Sequence, residues 1–518
     1  MPEVNVPPPR EWAWVAALTL LLLGLINLPY LLAYTLPPSA AHVFGGILFN
    51  PIDGYSYLAK LREGWRGEWL FTLPYTAQPG AGAFIYSYHL ALGHLARWTS
   101  TRLELIYHLA RVLTSAFFLI TAYHFIARFV DEFRWRIAAW LMFGLCSGLG
   151  WLATLFGQFT ADFWVAEAFP FLTLFSNAHF PLAWAALLWL FEWTLPGLAP
   201  PPTLKHLALV ALGVTLQAQV QPLVLLTLGL ILGGLVAGRG LTTRTFVWAE
   251  GLTLMVVGLA AGPWILNVLW ATRTNPALAA WNAQNLTPTP VWWDVLMSGG
   301  LPLLLASIGL AIVARRRNAL DQILLYWFIL GVLSLYAPFD LQRRLSLGLW
   351  MPLTLLALIP LREVLWPRLP TRWRPLLGAV MVISMTLTNG LVCVSTLAAV
   401  QTHNPKLFLT ADEAAALSWL ADQADGALVL ASPEIALVIP ARTDARVIYG
   451  HPFETVEAEA RQQAVKNFFT GLTPSAVFLA DQPVDYIFYG PREKSLGQPD
   501  LTGWRIVFQH GQVTLYGR

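Results

Sequence analysis

The chain has 518 residues, 56% of them hydrophobic and only 12% charged, with a mean hydropathy of +0.57. A soluble domain carries about 25% charged residues, and single cores stop growing near about 250–300 residues; a wholly soluble protein is therefore excluded. The net charge of +3 is uneven, because residues 403–518 hold 13 acids against 9 bases (−4) and leave +7 on residues 1–402. A basic transmembrane domain at 1–402 followed by an acidic, soluble α/β domain at 403–518 is the expected division. The two cysteines, Cys146 and Cys393, lie in apolar runs and supply neither a disulfide framework nor a zinc set.

From the N-terminus, Arg10 precedes an apolar stretch, Trp12 to Tyr34, that is too long for a signal-peptide core and long enough to span. Further apolar stretches follow at 107–129, 136–156, 178–195, 204–218, 222–238, 247–271, 299–315, 320–337, 344–361 and 375–400. They predict a mainly α, polytopic helical membrane protein of about eleven spans. Gln217, Gln219, Gln221 and Pro222 break one long run in two. The short segment 84–98 is expected not to cross.

Arginine-rich loops set the orientation. Arg128, Arg134 and Arg136, then Arg239 and Arg244, then Arg315, Arg316 and Arg317, then Arg362, Arg368, Arg372 and Arg374 all fall on the cytoplasmic side if the N-terminus is inside. The loops 35–106, 157–177 and 272–298 and the domain 403–518 are then exterior, in a multi-pass plasma-membrane protein. Within 403–518, Thr410 and Glu413 form a capping box before a helix at 411–423. Strands are expected at 427–431, 446–449, 486–489, 504–508 and 513–516, with a helix near 455–470.

The exterior loop 35–106 is long enough to be functional rather than a connector. Tyr55, Leu58, Leu61 and Trp65 recur at helical spacing among Lys60, Arg62, Glu63 and Arg66, which predicts an amphipathic helix in the membrane interface. Asp53 stands just before it. Spacing alone admits two roles for Asp53, an N-cap or a general base.

The stretch Asn50 to Leu70 resembles the first outer loop of the GT-C glycosyltransferases, particularly the protein O-mannosyltransferase and aminoarabinose transferase branch. Those enzymes often read Asp-Glu, then Tyr, then a helical run closing in Gly-Asp-Trp. Asp53, Tyr57 and Gly67-Glu68-Trp69 follow in that order; Gly54 stands where the family often has Glu, and Thr72-Leu-Pro74-Tyr75 is only a loose counterpart of its Lys-Pro-Pro element. The resemblance implies a membrane glycosyltransferase that moves a sugar, with inversion, from a polyprenyl-phosphate donor to a lipid, glycan or protein acceptor at the outer face. Asp53 would be its base, with Tyr57 and Trp69 in the substrate site.

Such a transfer needs a cation for the leaving phosphate. Arg111, near the outer end of the second span, reads either as that cation or as a snorkelling side chain. Arg343 and Arg344 open the tenth span on the exterior side, against the positive-inside trend, and read as a phosphate clamp or as partners of Asp340. Asp162 and Glu167 read as solvated loop carboxylates rather than a metal site with Asp53. No ligand spacing supports a divalent metal, and no organic cofactor or nucleic-acid partner is expected. His89 and His94 are off a common helical face, and Gly450-His451-Pro452 reads as a turn. The rival readings are a transporter or lipid flippase, which calls for repeats and mid-membrane charges, and a non-catalytic scaffold presenting 403–518. No repeat is evident, and the charges within spans, chiefly Glu192 and Glu250, lie near their ends.

Overall fold

A backbone in lipid must satisfy its own hydrogen bonds, so long apolar runs become helices. In the computed structural model, which describes residues 7–35, 41–245, 247–316 and 318–518, each of the eleven apolar stretches carries a helix. Arg317 and residues 36–40 of the first exterior loop lie outside the described residues. Among the described residues seven helices are long and apolar enough to cross a membrane: Pro9–Thr35, Leu103–Ile126, Phe133–Phe156, Val224–Thr243, Trp248–Thr274, Trp292–Val313 and Thr371–Gln401. Leu204–Val220 and Ala319–Ser334 are apolar but shorter. The glutamine-rich break falls where expected: Leu204–Val220 ends before Gln221, whose carbonyl accepts from Gln217 Nε2 at 3.1 Å. The tenth stretch begins later than expected. Residues 342–346 form a 3₁₀ turn, and the helix starts at Trp350 and runs on past Pro360 through a π-helical turn, Leu361–Leu365.

The chain divides into two compact units. The first comprises Met1–Leu28, Leu109–Ile265 and Thr287–Ser395. Here several acids near helix ends are matched with bases, as burial of an isolated charge is costly. Glu11 pairs with Arg136 at 2.5 Å and accepts from Tyr123 Oη at 2.6 Å. Glu192 lies 3.1 Å from His124 and 3.5 Å from Arg128, and Glu250 lies 2.5 Å from Arg239. Asp162 and Glu167 are not solvated as expected; both are buried. Asp162 accepts from the N–H of Gly148 (3.2 Å) and Gly150 (3.1 Å) and from Thr160 Oγ1 (2.7 Å), which organises the loop around it.

The second unit comprises Pro29–His108, Leu266–Leu286 and Thr396–Arg518, so the 403–518 domain packs as one body with most of the first exterior loop. Its sheet has the order β4-β3-β5-β7-β6, with β3 (Leu428–Leu430) parallel to both β4 (Arg446–Val447) and β5 (Tyr486–Tyr489). The strands β6 (Arg505–His510) and β7 (Val513–Gly517) close it as an antiparallel hairpin. Strands β1 (His42–Phe44) and β2 (Phe408–Thr410) form a separate antiparallel pair that joins the loop to the domain. Sequence pattern did not announce this pair, because each strand has only three residues. The Thr410/Glu413 capping box opens the helix Ala411–Gln423 as expected.

The helix Pro51–Arg66 forms, but its charged side is not a solvated face. Its apolar residues Tyr55, Leu58 and Leu61 join Leu417, Leu420, Ile435 and Ile439 in one core, and Lys60 and Glu63 are buried too. Segment 84–98 contains the twelve-residue helix Ser87–Trp98, shorter than a span needs to be. The two helices touch backbone to backbone. A Cβ on Gly93 would sit 2.0 Å from the Leu61 carbonyl oxygen, and one on Gly64 2.0 Å from that of Leu90. Gly93→Ala should therefore lower the melting temperature of the purified protein, at a cost of about 1–3 kcal/mol for overpacking. Gly24→Ala, where nothing lies within 4 Å, should not.

Candidate active site

Asp53 lies inside the first turn of the helix Pro51–Arg66 and is not its cap. The cap is Asn50, in a left-handed conformation that Asn tolerates, followed by Pro51 at the first helical position. Asn50 Oδ1 accepts from the Asp53 N–H at 3.5 Å, while Asn50 Nδ2 donates to Asp53 Oδ2 at 2.5 Å. Of the two roles that spacing admits for Asp53, the N-cap is thus taken by Asn50. Its side chain is 45% exposed. Gly54, where the resembling family often carries Glu, is explained by packing: a Cβ there would meet Ile47 Cγ2 at 2.4 Å.

Helical periodicity puts Asp53, Ser56 and Lys60 on one face of the helix. Facing them is the loop 450–455, which is more than the simple turn read from Gly-His-Pro. His451 Nε2 lies 3.7 Å from Asp53 Oδ1. Glu454 Oε1 accepts from Ser56 Oγ at 2.6 Å and from Lys60 Nζ at 2.7 Å. Lys60 is 1% exposed, and its ammonium also stands 4.5 Å from the centroid of the Tyr86 ring. Burial is the largest influence on Glu454 and would raise its carboxyl, but Lys60, His451 and the hydrogen bonds from Lys60 and Ser56 together hold it below the ordinary value. Glu454 Oε2 and His451 Nε2 are both buried without a hydrogen-bond partner. Buried polar atoms are rarely left so, and one of them, His451 Nε2, is the atom that stands beside Asp53.

The loop is locked from outside. Gln284 Nε2 donates to the carbonyls of Phe453 (3.1 Å) and Thr455, and Gln284 Oε1 accepts from the Glu457 N–H at 3.2 Å. Thr455 Oγ1 accepts from the N–H of Gly450 and His451 at 3.3 and 3.2 Å. Gly450 has to be glycine, since a Cβ would meet Tyr75 Cδ1 at 2.6 Å and the Ala436 carbonyl oxygen at 2.8 Å.

The other expected substrate residues divide between the units. In the second unit, Tyr57 stacks on His89 with ring centroids 4.9 Å apart, and the half-exposed Trp69 stacks on His94 at 4.0 Å. Both histidines, assigned no role from spacing, are therefore aromatic partners. In the first unit, Arg111 does not snorkel: it is buried, donating to Asn27 Oδ1 at 2.5 Å and to the carbonyls of Leu174 and Phe175 at 3.3 and 3.5 Å. Arg343 pairs with Glu167 (Nε to Oε1, 3.1 Å), not with Asp340, and its guanidinium lies 4.8 Å from the Trp164 ring centroid. It lines a largely apolar cavity of about 110 Å³ whose walls include Phe169, Leu303, Phe328, Leu335 and Trp350. Arg344 beside it is half-buried. Among the described residues no group of three or more His, Cys, Asp or Glu side chains could hold a metal ion.

No protein-family model and no curated protein matches the sequence. Solved structures do match the fold. The aminoarabinose transferase ArnT from Cupriavidus metallidurans aligns over 95% of this chain and 97% of its own, at 13% identity and TM-score 0.53. The oligosaccharyltransferase AglB from Archaeoglobus fulgidus, solved with an inhibitory peptide and a dolichol-phosphate, aligns over 93% of this chain and 70% of its own, at 12% identity and TM-score 0.50. The arabinofuranosyltransferase AftD from Mycobacteria aligns over 99% of this chain but only 40% of its own length, at 16% identity and TM-score 0.53. These neighbours are GT-C glycosyltransferases, and the chain has their fold.

Close to Asp53 in the chain, Glu63 accepts from the N–H and Oγ1 of Thr72, and burial pushes its carboxyl up to about 7 against the opposing pull of Thr72, Lys60 and Arg66. A carboxyl raised in the folded state stabilises below its unfolded value and loses that contribution as pH rises through the folded one. Glu63→Gln should therefore match wild type near pH 4 and exceed it progressively up to pH 8, by up to about 3 kcal/mol. Chemical denaturation of both proteins across that range checks it.

Proposed function

We propose that this protein is a GT-C-type glycosyltransferase that moves a sugar from a polyprenyl-phosphate donor to an acceptor at the outer membrane face, with Asp53 as general base. The observation that carries the reading is the half-exposed Asp53 carboxylate on a helix whose same face is tied down by a buried ion pair, in a chain with the GT-C fold. The base takes the proton of the acceptor X–H as X bonds to the anomeric carbon from the face opposite the phosphate. The bond from that carbon to the phosphate oxygen breaks, its electron pair leaves with the polyprenyl phosphate, and the configuration inverts.

In the first unit, the apolar cavity and Arg343 suit the donor lipid: isoprenoid carbon against Phe, Leu and Trp, and phosphate on the guanidinium. The complex of AglB with a dolichol-phosphate supports a lipid-linked donor. Arg111, spent on Asn27 and two carbonyls, acts by bracing helices rather than by binding phosphate directly. The orientation is that of the arginine loops, with the N-terminus cytoplasmic and residues 403–518 exterior, in the plasma membrane.

The deciding experiment uses the full chain in nanodiscs with a panel of polyprenyl-phosphate hexoses and pentoses, following release of polyprenyl phosphate. Asp53→Asn keeps the contact with Asn50 but cannot take a proton at neutral pH. It should fold normally and lose at least about 10²-fold in kcat; turnover near wild type would remove the proposal. Separately, Arg343→Gln in a Glu167→Gln background, which leaves no buried carboxylate unpaired, should raise the donor KM about 10- to 100-fold, the worth of a charge-assisted hydrogen bond. An unchanged donor KM would leave Arg343 only its pairing with Glu167.

A further inference from the structure

We propose that His451 is a positioning residue for Asp53, its Nε2–H orienting the carboxylate toward the acceptor. The inference rests on Asp53 as base. The tautomer follows from the hydrogen bonds: His451 Nδ1 accepts from the backbone N–H of both Phe453 (3.1 Å) and Glu454 (3.0 Å). A nitrogen that accepts two N–H groups carries no proton, so the ring proton sits on Nε2. That nitrogen is buried, has no hydrogen-bond partner, and lies 3.7 Å from Asp53 Oδ1.

A hydrogen bond needs about 2.7–3.2 Å, so a shift of less than about 1 Å closes the contact, and catalytic hydrogen bonds commonly tighten only when substrate binds. The imidazole itself is not the part that moves. His451 is 2% exposed, its ring lies 5.5 Å from that of Tyr75, and its backbone is held by Thr455. Asp53, half-exposed in the first turn of its helix, is the less enclosed of the two. The charged groups near the ring are Asp53 and Glu454, and Lys60 compensates Glu454. The sequence separation of Asp53 from His451 explains why no motif search would pair them.

Two variants separate this role from a purely structural one. His451→Asn keeps an oxygen where Nδ1 accepts from the loop but cannot reach Asp53, whereas His451→Gln can reach Asp53 but gives up the loop. In the nanodisc assay, with the donor that wild type consumes, H451N should keep the wild-type melting temperature and lose about 10- to 100-fold in kcat, the scale of a misplaced reacting group. H451Q should melt lower yet turn over within about threefold of wild type. Wild-type turnover by H451N, or equal loss in both variants, would overturn the proposal. Should H451N fail to fold, H451Q decides alone, and a kcat more than about tenfold down would overturn it. Failure of the base reading itself shows differently, as wild-type turnover by Asp53→Asn.

Discussion

The second unit depends on one buried ion pair. Lys60 and Glu454 are 394 positions apart in the chain, and their charged atoms meet at 2.7 Å with almost no access to water. Taking a lone ammonium or carboxylate out of water costs several kcal/mol even after relaxation, so each charge requires the other in place. The helix Pro51–Arg66 and the loop 450–455 are therefore held in one register. Because Asp53 is seven residues before Lys60 and His451 three before Glu454, that register sets Asp53 opposite His451. The placement of Asp53 opposite His451 is a by-product of where the charges must be neutralised.

The surrounding contacts follow the same logic of satisfying what is buried. Gln284 and Thr455 take up the loose N–H and C=O groups of the loop, and glycines at 64, 93 and 450 let backbones approach where any Cβ would collide. Arg62 extends the pattern, donating from Nε and Nη2 to Asp444 at 2.8 and 3.1 Å. In the first unit the equivalent task falls to Glu167, which neutralises Arg343 at the edge of an apolar cavity. Arg343 is held there by one carboxylate and one indole face.

Several sequence expectations failed for one reason: local pattern does not tell which side of an element is covered. Lys60 and Glu63 looked like the solvated face of an interfacial helix, and both are buried by residues from the far end of the chain. Asp162 and Glu167 looked like loop carboxylates in water, and both are enclosed. Asp53 was assigned a choice between cap and base, although Asn50-Pro51 just upstream is the stronger cap signal and leaves Asp53 in the first turn. His451 and Glu454 were legible only as a string, because nothing in a Gly-His-Pro turn says what lies across from it.

What the sequence determined by itself was whatever short-range chemistry controls. Long apolar runs specify membrane helices, the Thr410/Glu413 spacing specifies a helix start, and short apolar runs mark the strands of the C-terminal domain. The order of Asp53, Tyr57 and Gly67-Glu68-Trp69 was enough to suggest the GT-C fold that the solved structures share. Only the tertiary structure decided which charges are buried, and with which partners. Burial energies depend on neighbours that the chain brings back from hundreds of residues away, so Lys60 with Glu454, and Asp53 with His451, could be paired only in three dimensions.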